Sequence, residues 1–195
     1  MHDELSGEGF TIIGVAIDGD IDAIRTGATA ISFPILMDPD HLVTELYAIS
    51  NVPTVVWIDE DDRIVQPNWV AFGTDTFLEF TGIESEPQKD LIRSWVRDGT
   101  AMMSPEQARA AVEDLTTDEQ QARLYFRIGA HLKRSGDEPG AQRNLKKAVE
   151  LAPHDWTVRR AAMPLQGKDP FGEEFFTMYQ EWQEAGSPYH GVASR

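Results

Sequence analysis

The run Phe10-Thr11-Ile12-Ile13-Gly14-Val15-Ala16-Ile17-Asp18, closed off by Gly9 and Gly19, constrains the fold more than any other stretch. A nearly continuous β-branched and apolar series is the pattern of a strand covered on both faces. Such strands belong to parallel, helix-flanked sheets. Ahead of it, residues 1–8 read as the last turns of a helix closing at Gly7 or Gly9. Behind it, Ile21, Ile24, Ala28 and Ile31 keep helical spacing across residues 20–31, interrupted by Gly27.

The β signal then returns in short pieces. Phe33-Pro34-Ile35-Leu36 reads as a strand, Asp38-Pro39-Asp40 as a turn, and residues 41–48 as a helix with Leu42, Val43, Leu46 and Tyr47 inward. Residues 52–59 form the next strand, and the acidic turn Glu60-Asp61-Asp62 leads to a hairpin partner, Arg63-Ile64-Val65. Past Gln66-Pro67 the β signal ends. Residues 68–87, with Trp69, Phe72, Phe77 and Phe80, read as an irregular or short-helix stretch forming a packed connection. Residues 90–97, with Leu91, Ile92, Trp95 and Val96 on one face, form an amphipathic helix ended by Gly99. Two capping boxes follow, Ser104-Pro105-Glu106-Gln107 and Thr117-Asp118-Glu119-Gln120. The expected class is therefore α/β over residues 1–100, with an all-helical extension over residues 101–190.

Charge and composition narrow the chemistry. Seventeen Lys and Arg against 33 Asp and Glu leave a net charge of −16. That charge repels phosphate backbones and anionic lipid surfaces, so neither nucleic acid nor a membrane is expected as a partner. No apolar stretch is long enough to span a bilayer. Residues 1–6 offer neither the basic region nor the apolar stretch of a signal peptide, so a cytoplasmic setting is expected. With no cysteine in 195 residues there is no disulfide, thiolate metal site or cysteine nucleophile. His2, His41, His131, His154 and His190 are scattered, without a metal-binding spacing. The acidic residues near Asp38, Asp40 and 59–62 lack the ordered loop of a calcium site and read as solvated turns. Nucleotide-binding glycine loops and the serine-hydrolase elbow are absent. No catalytic residue, metal or cofactor is assigned.

The order of elements, with Phe33-Pro34-Ile35-Leu36, Asp38-Pro39-Asp40 and above all Asn51-Val52-Pro53-Thr54 opening a strand that ends Ile58-Asp59, is similar to the second half of the thioredoxin-like superfamily. The closest likeness is to its TlpA/ResA and AhpC/TSA-like redoxin branches, over residues 1–65. In that family the proline matching Pro53 is cis and faces a redox dithiol. The residue matching Val52 offers backbone hydrogen bonds to an extended substrate. The resemblance thus implies thiol–disulfide or peroxide chemistry and a substrate wall formed by Val52, Pro53 and Thr54, with Trp57 supporting it. A proline at that position also has a physical reading of its own, because the first residue of a strand needs no ladder donor.

The chain departs from the family at the decisive place. The family's leading strands and the Cys-x-x-Cys at the start of a long helix are missing, and residues 1–8 resemble the end of that helix. Two explanations follow: a degenerate relative without redox chemistry, or a start placed at an internal methionine downstream of the motif. Relatives with selenocysteine at the motif, encoded by a codon normally read as stop, supply a route to the second. On either account the sheet is incomplete, the chain is inactive alone, and apolar sheet surface is left uncovered.

In the tail, Tyr125, Ile128, Gly129, Leu132, Gly136, Ala141, Leu145, Ala148 and Pro153 are spaced like a single tetratricopeptide repeat over residues 117–153, with small residues where two antiparallel helices cross. Such a hairpin offers a surface for a protein partner, or docks on its neighbours, 156–163 and 171–185. Phe171, Phe175, Met178 and Trp182 lie at helical spacing, widened by Phe176 and Tyr179, and read as core. The competing class is an interaction protein that binds through this tail.

Overall fold

The computed structural model describes residues 1–49, 52–70, 73–100, 103–112, 114–170 and 172–186. Asn51, Phe72, Phe171 and His190, and the side chains of Phe77 and Phe80, lie outside the described residues. The architecture is mixed α/β with a helical C-terminal part. The chain divides into two compact units: residues 1–39 with 53–108, and residues 40–52 with the chain from 109 onward.

In the first unit, β1 (Gly14–Ala16) runs parallel to β2 (Ile35–Met37), with Gly14 opposite Ile35 and Val15 opposite Leu36. Backbone bonds from Gly14 N to the Pro34 carbonyl, 2.9 Å, and from Asp38 N to the Ala16 carbonyl, 2.8 Å, extend the ladder. Gly14 is required by close approach, because a Cβ there would sit 2.5 Å from Ile35 Cδ1. Between these strands α2 (Ile21–Ala28) starts where the Asp20 carboxylate accepts the Ala23 N–H.

The strand reading of 10–18 needs correction on two counts. Only three of those residues are in the strand, and its faces are not both covered: Ile13 is 57% and Leu36 54% exposed. The reason is topological. A two-stranded sheet has no third strand to pack beside it, and α2 buries no residue.

A second two-stranded sheet is the hairpin β3 (Thr54–Ile58) and β4 (Ile64–Val70). Its turn is held by the Asp59 carboxylate, which accepts the N–H groups of Asp61 and Arg63. The expected end of β structure at Gln66-Pro67 is also corrected, since β4 continues to Val70. The register slips between Val55–Trp69 and Trp57–Gln66. Pro67 lies in that irregular stretch, where a residue without an N–H breaks no ladder bond.

A 3-10 turn (Asp75–Phe77) and α4 (Leu78–Thr81) lead to α5 (Ser85–Asp98). This helix starts earlier than its apolar face predicts. The Asp75 carboxylate accepts the Ser85 N–H at 2.8 Å, and Pro87 in the first turn has no intrahelical donor to lose. It ends on Gly99, left-handed at φ 67°. Trp95 of α5 stacks on Trp57 at 5.1 Å, and Trp69 meets Trp57 edge-on. As the sequence predicts, residues 1–8 are helical: α1 (His2–Leu5) and a 3-10 turn (Ser6–Glu8) close on left-handed Gly9. Leu5 is fully buried, and Arg93 and Arg97 of α5 bind Glu4 and Glu8.

α6 (Pro105–Ala110) opens on the expected Ser104 box: the Gln107 N–H donates to Ser104 Oγ, and the Ser104 N–H to Gln107 Oε1. The second unit is built around an antiparallel hairpin, α7 (Thr117–Arg134) and α8 (Glu138–Leu151). The box of α7 lies one residue earlier than predicted, with Thr116 as cap and Glu119 closing it. Thr116-x-x-Glu119 and Thr117-x-x-Gln120 both have capping-box spacing, and the reciprocal bonds are made by the first pair. α9 (Trp156–Leu165) and α10 (Glu173–Glu184) follow.

Phe126, Ala130, Leu145, Ala148, Val158 and Ala162 form one core. Trp156, Met163 and Met178 form another, with Phe175 and Trp182 against it and Phe176 turned outward. α3 (Leu42–Leu46) belongs to this unit, and its inward face is opposite to the one predicted. Thr44 and Glu45 are buried, whereas Leu42, Leu46 and Tyr47 are exposed. No helix among the described residues is long and apolar enough to cross a membrane.

Candidate functional site

Of the three residues assigned to a substrate wall, Val52 and Pro53 are exposed and precede β3, and Thr54 is its first residue. The division between the two units falls between Val52 and Pro53. Thr54 is half-buried, and its hydroxyl donates to the Trp69 carbonyl across the hairpin at 2.9 Å. That proton is therefore committed to holding the strands together. Trp57, expected to support the wall, is 5% exposed and packed between Trp95 and Trp69. It anchors β3 to α5. What remains able to meet a ligand at this position is the exposed pair Val52 and Pro53.

The polar constellation with the strongest physical character lies elsewhere, in the second unit. Glu45 of α3, Arg123 of α7 and Asp155, the cap of α9, are all buried. Arg127 Nε donates to Glu45 Oε2 at 2.5 Å, and Arg123 Nη1 donates to the Glu45 carbonyl at 2.6 Å. Arg123 Nε donates to Asp155 Oδ2 at 3.3 Å, while Asp155 Oδ1 accepts the Thr157 N–H and hydroxyl. The Glu45 carboxylate raises the affinity of Arg127 for its proton above the ordinary arginine value. Taking these charges out of water costs several kcal/mol per ion, which only mutual pairing offsets. The Glu45 and Asp155 carboxylates are engaged by guanidinium and Thr157 donors, so the arrangement ties α3, α7 and the start of α9 together.

Sequence reading missed this cluster. The available signal was Arg123, which sits one residue after Ala122 on the apolar face that Phe126, Gly129 and Ala130 continue. An arginine on a buried stripe needs an anion.

A second cluster surrounds Arg160. Its guanidinium carbon lies 4.9 Å from the Phe175 ring centre and 5.9 Å from that of Trp156. Burial lowers its proton affinity below the ordinary arginine value. Trp156 also packs on Tyr179 and Trp182. Among the described residues no group of three or more His, Asp and Glu side chains could hold a metal ion. Comparison with protein-family models, curated proteins and solved structures finds no match.

Proposed function

We propose that the chain is a thioredoxin-like module of the redoxin type whose own part in the chemistry is binding. What supports the reading is the order of elements. The short helix α1 and its 3-10 turn are followed by β1, α2, a parallel β2, α3, and then Val52-Pro53 leading into the β3–β4 hairpin and α5. These 195 residues contain no cysteine, so none of their side chains supplies the thiolate that attacks a disulfide. The exposed Val52 and Pro53, before Thr54, would form one wall of a groove for an extended protein or peptide, the backbone of Val52 pairing with it.

A second reading has its own observation. Leu124 and Ile128, one turn apart on α7, are both exposed, an apolar pair suited to a protein partner docking on the tetratricopeptide-like hairpin.

One experiment separates the two. The chain is titrated with reduced, alkylated α-lactalbumin, an unfolded polypeptide, while backbone amide signals are followed. The first reading expects shifts at Val52 and Thr54 that Pro53→Ala weakens. Shifts at Leu124 and Ile128 alone favour the second. Disulfide reduction by the purified chain with a dithiol would overturn the binding role.

A further inference from the structure

Helix α3 is turned inside out relative to its own sequence. Leu42 and Leu46 are 45% and 56% exposed, while Thr44 and Glu45 face inward. An apolar stripe of this kind ordinarily provides the buried face of a helix. Charge holds it the other way round, through Arg127 on the Glu45 carboxylate and Arg123 on both its carboxylate and its carbonyl. The clamp is imperfect: Arg123 Nη2, 3.2 Å from Asp155 Oδ2, is buried without a hydrogen bond. Both ends of the helix are strained as well. His41 and Ala48, neither of them glycine, occupy the left-handed region at φ 56° and 52°. Half-exposed leucines and left-handed hinges raise the free energy of this orientation, the Glu45 ion pairs offset it, and all of them fall within eight residues.

We propose that α3 is a two-state latch on the helical unit. It rolls about its axis between the observed state and one in which Leu42 and Leu46 turn inward and Glu45 meets water. The pairing of Glu45 with Arg123 and Arg127 sets the balance between them. The left-handed residues at either end absorb the backbone change. The latch rests on the geometry of the second unit alone and stands whether or not the redoxin reading holds.

The chain has no cysteine of its own, so single cysteines report on each face. In full-length protein, Leu46→Cys should react with a thiol reagent about tenfold or more faster than Thr44→Cys. Adding Glu45→Lys, which sets like charges against two arginines, should speed Thr44→Cys labelling about tenfold or more and slow Leu46→Cys labelling. Acceleration at both positions means the helix merely unfolds and overturns the latch, as does no change at either. Equal labelling of the two sites in the Glu45 protein overturns the inverted orientation itself.

Ala48→Gly keeps the clamp and relieves one hinge, so the proposal stays testable even where Glu45→Lys fails to fold. It should slow Thr44→Cys labelling about fivefold. An unchanged rate overturns the strained-hinge account.

Discussion

Gly129 shows how one missing side chain sets the spacing of two helices. A Cβ at that position would lie 2.7 Å from Leu145 Cγ and 3.2 Å from the Leu145 backbone nitrogen, so α7 and α8 pack at glycine distance. Gly129→Ala should therefore destabilise the hairpin by about 1–3 kcal/mol, although alanine is the better helix former by about 1 kcal/mol. Urea unfolding followed by circular dichroism measures it, and a more stable variant would show that the two helices can part without loss. The small residue at this crossing was readable from its spacing with Ala141 and Ala148. Arg123 was not. A long basic side chain reads as solvent-facing until its neighbours are known, and both its anions come from other elements, Glu45 and Asp155.

Individual elements were legible where the signal was local. Asp20, Ser104 and Gly99 mark helix ends through bonds made within a few residues, and such bonds are written in sequence order, while at α7 two adjacent threonines carry the motif and the cap falls on the one before that expected. α3 failed for the complementary reason, since an apolar stripe predicts an inward face only where nothing stronger competes.

The contact between α1 and α5 makes a pH prediction. Hydrogen bonds from Arg93 and Arg97 hold the carboxyls of Glu4 and Glu8 below the ordinary glutamate range. A carboxyl lowered in the folded state contributes stability in full above its unfolded value, and loses it as pH falls through the folded value. Protection factors of the amides in residues 2–8, which divide out the intrinsic pH dependence of exchange, should accordingly fall as the solution is acidified below the ordinary glutamate range, with Arg93→Gln and Arg97→Gln abolishing the fall. Protection factors that are flat with pH would show these exposed pairs to be energetically silent.

At the scale of the whole molecule, the two units differ in how much each buries. The second has a continuous core of Phe126, Leu145, Val158 and their neighbours. In the first, α2 buries nothing, and the β1–β2 face leaves Ile13, Val15 and Leu36 exposed. The uncovered apolar sheet surface expected from the sequence is there. Residues 14–16 and 35–37 should lose exchange protection at lower denaturant than α7–α9, and equal protection would require cover for that face.

By itself the sequence determined several helix ends, among them Asp20, Ser104 and Gly99, the mixed class, and the absence of any thiol chemistry in these residues, because each depends on near neighbours or on composition alone. Only the tertiary structure decided that the strands form two separate pairs, that β4 continues past Pro67, and that Glu45 rather than Leu46 faces inward. These outcomes turn on which distant group arrives beside a residue, and a missing strand neighbour or a buried arginine can outweigh the preference written in the local pattern.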